Sequence, residues 1–125
     1  MKISLKQLES AIKKSWNRET CHYKFLWDDK DLPESAGHCR VVSLIVQDFF
    51  GGEILYSYVR GNPKWDHYWN KLSNGKEIDF TKDQFPENII FIKSKLISRM
   101  EALSSKRTQS GYEILKKRVK SILER

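Results

Sequence analysis

His38-Cys39-Arg40-Val41-Val42-Ser43-Leu44-Ile45-Val46-Gln47-Asp48-Phe49-Phe50-Gly51-Gly52 is the stretch on which the fold turns. Val41, Val42, Leu44, Ile45, Val46, Phe49 and Phe50 are apolar on nearly every side, so the segment reads as buried all round. Valine-rich runs also form strands. A run over 38–50 that closes on Gly-Gly favours helix by its length, and glycine supplies the left-handed residue on which helices commonly end. The expectation is a central helix over 38–50 with Cys39 at its start.

Working towards the N-terminus, residues 19–37 contain Asp28, Asp29, Asp31, Pro33 and Gly37 and read as loop. Residues 4–17 read as a helix. Ser4 and Gln7 have capping-box spacing, and Leu5, Leu8, Ile12 and Trp16 share one face. Towards the C-terminus, Ile54 to Val59 reads as a strand of β-branched and aromatic residues, and Gly61-Asn62-Pro63 as a turn. Residues 67–72 and 76–81 read as a hairpin around Ser73-Asn74-Gly75. Residues 89–92 fit no single pattern, and a short helix is expected near 95–104. A last helix is expected from Ser110, with Glu113 completing a second capping box. Tyr112, Leu115, Val119 and Ile122 form its buried stripe, with Lys116, Lys117 and Lys120 away from it. The order gives an α+β domain, helices packed on a small antiparallel sheet, with 1–125 as one unit.

Composition bounds the function. Aromatic residues make up 12% of the 125, enough large apolar surface to exclude disorder. No apolar run approaches the roughly 20 residues of a membrane span, and the N-terminus lacks a secretory pattern, so a cytoplasmic protein is expected. Cys21 and Cys39 then read as reduced thiols. Residues 1–92 carry 13 basic and 13 acidic residues, while residues 93–125 carry 10 and 3 and so supply the whole net charge of +7. Such a segment can contact nucleic acid or an acidic partner, or be the solvated back of a helix, which is the favoured reading.

Chemistry centres on Cys39. A helix N-terminus stabilises an anion, which biases a thiol there towards thiolate. His67 could take its proton, and Asp79 could orient His67. The hairpin sets a condition. A three-residue loop at 73–75 pairs Leu72 with Lys76 and sets Asp79 opposite Trp69, which puts Asp79 on the face of His67. A two-residue Asn74-Gly75 turn would separate them onto opposite faces. The other face would carry Tyr68, Leu72, Ile78 and Phe80 as core. Taken singly, each of the three residues has a plain structural role open to it. Cys21-His22, His38-Cys39 and His67 also offer soft ligands, but without Cys-x-x-Cys or His-x-x-x-His spacing, so neither metal nor cofactor is expected.

Several runs resemble the YunG-like family of small bacterial proteins. They are Gly37-His38-Cys39, Ser43 to Leu55 with Gln47-Asp48-Phe49-Phe50-Gly51-Gly52, His67-Tyr68-Trp69-Asn70-Lys71-Leu72, Gly75, Ile78-Asp79-Phe80-Thr81 and Gln84-Phe85. Thr20-Cys21, Trp27 and the pattern around Tyr112, Leu115, Arg118 and Val119 fit as well. The Cys, His, Asp order is similar to papain-like and transglutaminase-like folds, in which a helix-borne Cys faces His and Asp on an antiparallel sheet. The resemblance implies a papain-like (cysteine proteinase-like) core with Cys39, His67 and Asp79 as nucleophile, base and orienting group. His38 stands where that family commonly has Gln.

An oxyanion site needs two donors, and the Cys39 N–H is one. For the second donor, or for lining the substrate, Trp27, His38, Trp69, Asn70 and Gln84 are the candidates, each with a structural alternative. Trp65 is a further candidate for lining. The leading expectation is a cysteine-dependent hydrolase or acyl-transfer enzyme acting on an amide, peptide or thioester. The alternative is a non-enzymatic binding module using residues 93–125 on nucleic acid or an acidic partner. A third reading is a small effector-like cysteine enzyme acting on another organism's protein.

Overall fold

The central helix forms where its apolar sequence requires it. In the computed structural model, which describes residues 2–124, helix α3 spans Cys39–Phe50, and Val41, Val42, Leu44, Ile45 and Val46 are buried. Two helices precede it. These are α1 (Leu5–Ser15), with both Ser4–Gln7 capping bonds made, and a short α2 (Lys24–Asp28). After it come strands β1 (Glu53–Val59), β2 (Asn62–Lys71) and β3 (Glu77–Ile78), a 3-10 turn at Lys82–Gln84, and strand β4 (Lys95–Ile97). Helices α4 (Arg99–Ala102) and α5 (Lys106–Leu123) complete the chain. The sheet is antiparallel in the order β3-β2-β1-β4. Helix α3 packs on β2, and α1 and α5 pack on each other. The core between these layers includes Leu8, Ile12, Leu44, Ile45, Ile54, Leu115 and Val119, all essentially without solvent contact. Each such side chain stabilises the fold by about 1.5–3 kcal/mol through burial.

Local patterning fails in five places, the first being the strand expected over 76–81, which pairs only at Glu77–Ile78. The loop expected at 19–37 contains α2, a single turn that buries no residue and so leaves no strong apolar period. The expected turn at Gly61-Asn62-Pro63 sits one step earlier, at Arg60-Gly61, and Asn62 and Pro63 open β2. Proline is tolerated at a strand's start, and a register irregularity at Tyr58/Val59 absorbs the shift. The short helix expected at 95–104 divides: Lys95–Ile97 pairs with the free edge of β1, and only Arg99–Ala102 is helical. Helix α5 begins at Lys106 rather than Ser110, capped by Ser105. The extra turn buries Thr108, and the helix passes Thr20 at Gly111, where a Cβ would lie 2.9 Å from the Thr20 carbonyl oxygen. Packing there outweighs the second capping signal.

The basic C-terminal segment is partly tied into the fold. Asp48 accepts from Arg99 (2.6 Å) and from the Tyr112 hydroxyl, with Lys116 at 3.2 Å. Arg118 pairs with Glu19 and also donates to the Ser15 carbonyl. Lys116, expected on the solvated side, thus turns back across α5 to Tyr112 and Asp48. Among the described residues no helix is long and apolar enough to cross a membrane.

The Gly-Gly that ends α3 also sets the sheet against it. Gly52 has φ +78°, and a Cβ there would lie 2.4 Å from the Lys71 carbonyl oxygen on β2. Gly52→Ala should therefore cost about 2 kcal/mol, from left-handed backbone and steric overlap together. The check is the urea midpoint, and a midpoint equal to wild type would refute the close approach.

Candidate active site: Cys39, His67 and Asp79

The hairpin adopts the three-residue loop. Leu72 N–H donates to the Lys76 carbonyl at 2.8 Å, and Asn70 and Lys71 pair with Ile78 and Glu77. This register sets Asp79 opposite Trp69 as expected, although β3 stops one residue before it. His67 Nε2 and Asp79 Oδ2 are 2.6 Å apart. The other face carries Tyr68 and Ile78, both buried, with Leu72 and Phe80 partly buried against the core.

Asp79 is held from behind. Its Oδ1 accepts from the Thr81 N–H (3.2 Å) and lies 3.4 Å from the Thr81 hydroxyl, the Asx-turn geometry in which an Asp side chain accepts from the backbone N–H two residues on. Gln84 closes the ring, with its Nε2 at 3.2 Å from both Thr81 Oγ1 and His67 Nδ1. Buried Ser35 donates to Asp83 and so ties the 3-10 turn to the chain leading into α3.

His67 is 2% exposed and sits among Trp69 (ring centroids 5.4 Å), Phe85 (4.9 Å) and Phe91 (5.8 Å). Burial by itself lowers the imidazole pKa. Hydrogen bonding to Asp79, then hydrogen bonding and charge from Cys39, and finally the charge of Asp79 outweigh it and raise the value to about 9. Cys39 is on the first turn of α3 and Asp79 lies just beyond β3, so the groups that raise the pKa of this ring come from different elements. The Cys39 N–H belongs to the first turn of a helix, where backbone donors have no intrahelical acceptor.

The accessory candidates divide. His38 lies not in the cleft but wholly buried behind it, with Nδ1 2.9 Å from the Glu34 carbonyl and Nε2 2.8 Å from Thr20 Oγ1. Burial lowers its pKa to about 4, against the raising effect of its backbone partners, so it is neutral at pH 7. Trp27 stands edge-on to His38 at 6.0 Å and packs against the core. Asn70 is buried, and its amide donates to the Ser43 carbonyl on α3. Helix anchoring explains all three positions, and none of them opens to the site. Trp69 does reach it, stacking on His67 and donating to Glu77 at 2.7 Å. Gln84 does so through His67 Nδ1. Thr81 was given no role by sequence reasoning, although the spacing Asp79-Phe80-Thr81 carries the Asx-turn signal.

Two cavities lie beside these residues, one lined by Cys39 and the other by His67 and Asp79. One of about 350 Å³ includes Cys39, Trp65, Tyr68, Gln84 and Phe85 in its wall. The other, of about 1050 Å³, is lined by His67, Trp69, Asp79, Phe85 and Phe91. Phe85 belongs to both walls. Among the described residues no group of three or more His, Cys, Asp or Glu side chains is arranged to hold a metal ion.

Comparison with known proteins adds kinship. The chain is 36% identical over 81 residues to the uncharacterized protein YunG of Bacillus subtilis (strain 168), a match covering 65% of this chain and 63% of that protein. No solved structure matches. The family model described as YunG protein matches residues 4–124, nearly the full length, and the chain accordingly belongs to the YunG family.

Proposed function

We propose that this protein is a cysteine-dependent hydrolase or acyl-transfer enzyme with a papain-like core, acting on an amide, peptide or thioester carbonyl. The observation that carries the reading is the buried His67 imidazole held 2.6 Å from Asp79, with Cys39 and Asp79 both among the groups that raise its pKa. A protonated imidazole beside a thiol favours the thiolate. The Cys39 sulfur attacks the carbonyl carbon and forms a C–S bond, and the carbonyl oxygen takes up negative charge. The Cys39 N–H is one donor to that oxygen; the Gln84 amide lines the same cavity but is engaged by Thr81 and His67, so it serves as a second donor only on releasing one of them. His67 gives its proton to the leaving amine or thiol as the original bond breaks. It then takes a proton from water, or from an acceptor nucleophile, as that attacks the thioester. Asp79 holds the ring in orientation throughout.

The alternative use of residues 93–125 on nucleic acid has less support, because Arg99, Lys116 and Arg118 are engaged within the fold.

The test is acylation by p-nitrophenyl acetate. A burst of one nitrophenolate per chain is expected, with the acetyl group mapped to Cys39 by mass spectrometry and lost in Cys39→Ala. Cys21 is an internal control. It is buried, its S–H donates to the Tyr23 and Ala36 carbonyls, and burial raises its pKa. Equal acylation of both thiols in the folded protein would sink the proposal.

A further inference from the structure

Seven large apolar side chains stand exposed among the described residues: Tyr23, Phe25, Leu32, Trp65, Ile90, Leu96 and Met100. Four of them, Phe25 (66% exposed), Trp65 (48%), Tyr23 (44%) and Leu32 (37%), line the 350 Å³ cavity that also holds Cys39. They come from separate parts of the chain. Tyr23 caps the start of α2, Phe25 lies within α2, Leu32 is in the loop that follows, and Trp65 is on β2. Exposed apolar residues scattered singly need no explanation, but convergence on one concave wall marks a binding surface.

The wall is ordered where it approaches the sulfur. Trp65 meets Phe85 edge-on at 6.2 Å, and Phe85 in turn meets His67. Tyr23 and Phe25 stack at 5.4 Å, so the outer wall is a continuous aromatic ridge. The charged groups of this cavity are Arg40, Lys64 and Asp66, two cations against one carboxylate, alongside His22. Arg40 is held over the Tyr68 ring at 4.6 Å. A cationic group entering here would meet net like charge, whereas an aromatic or branched apolar group would meet matching walls.

Resting on the function proposed above, we infer that this groove is the acyl-side subsite, and that the substrate's reacting carbonyl is attached to a bulky aromatic or branched apolar group seated between Phe25 and Trp65. The 350 Å³ volume admits one such side chain with its adjoining backbone, not an extended polymer. The enzyme would thus select by the group on the acyl side of the bond, and small or cationic acyl groups would be poor substrates.

The experiment compares three p-nitrophenyl esters, of N-acetylphenylalanine, of N-acetyllysine with a free side-chain amine, and of acetate, each corrected for its spontaneous reactivity. The phenylalanine ester is expected to acylate Cys39 with kcat/KM 10- to 100-fold above the other two, about the effect of burying one aromatic side chain. Phe25→Ala and Trp65→Ala should each cut that ratio several-fold. Leu96→Ala, an exposed apolar residue on β4 outside the groove, should leave it unchanged. Phe25 is so exposed that its removal leaves the core intact, which keeps the test valid even if Trp65→Ala unfolds. Acylation of Cys39 without discrimination among the esters, or with discrimination indifferent to Phe25→Ala, overturns the subsite and leaves the catalytic reading standing. No acylation of Cys39 by any ester overturns both.

Discussion

Replacing His67 by Ala is expected to lower the rate at which iodoacetate modifies Cys39 at pH 6 by on the order of 10- to 100-fold. The reagent reacts with the thiolate, so the wild-type rate depends on what the imidazole contributes. With His67 raised to about 9, the ring stays cationic through the neutral range. The charge should also act on the reagent. Iodoacetate is an anion, so its rate relative to neutral iodoacetamide should be high below pH 9 in wild type. That ratio should fall as the ring loses its proton, and in His67→Ala it should be low at every pH. The same titration touches stability. Because folding raises this pKa, protonation of His67 stabilises the fold fully below about 6.5, and the contribution is lost as pH rises through about 9. A reagent ratio that is identical in wild type and His67→Ala would show that the ring does not act on the sulfur, and the proposed catalysis would fall with it.

Acid should attack the protein through the other buried histidine. Folding lowers His38 from 6.5 to about 4, so its neutral form stabilises the fold at and above pH 6.5, and that contribution is lost as pH falls to about 4. Two and a half units correspond to about 3 kcal/mol, a large share of the stability of a small domain. The cause is geometric. His38 is the N-cap residue of α3, its ring is enclosed by Trp16 at 5.1 Å and Trp27 at 6.0 Å, and both nitrogens already have partners. A cation there is poorly solvated and also faces the positive end of the helix dipole. Urea titrations of wild type between pH 7 and 4 should show this loss, and His38→Gln, which cannot titrate, should show a shallower dependence. Parallel curves for the two proteins would assign the acid sensitivity elsewhere.

These two histidines show where the sequence was legible. The pairing of His67 with Asp79 was legible because a hairpin has few registers, and Ser73-Asn74-Gly75 between alternating residues restricts them further. Cys39 was placed by the length and all-round apolar character of its helix. His38 looked like a site residue because it adjoins Cys39 in sequence, but His38 is the N-cap, with its ring turned to the interior, while Cys39, the first helix residue, faces the cleft. Asn70 was a candidate donor because of its amide, with a structural role favoured. Its buried amide instead caps a carbonyl of α3, a pairing across 27 positions that no local pattern encodes. Trp27 and the convergence of Phe25 with Trp65 likewise depend on tertiary approach, whereas Thr81 had a local signal in its spacing from Asp79. The edge strand β4 was missed because only the open side of β1 makes Lys95–Ile97 extended.

Strand β3 is two residues long, and Asp79 lies just outside it. The carboxylate that orients His67 is therefore carried by a segment whose local ties are Thr81, Gln84 and the bond from Ser35 to Asp83, not a continuous ladder. Segments held in this way open at a smaller free energy than strands buried on both sides, so residues 79–85 can detach while α3 and the β1–β2 pair stay folded. Alignment of His67 and global folding then become separate equilibria. On the function proposed above, a protein that still melts normally would spend part of its time without an aligned His67, and a substrate that braces Phe85 would draw that population back.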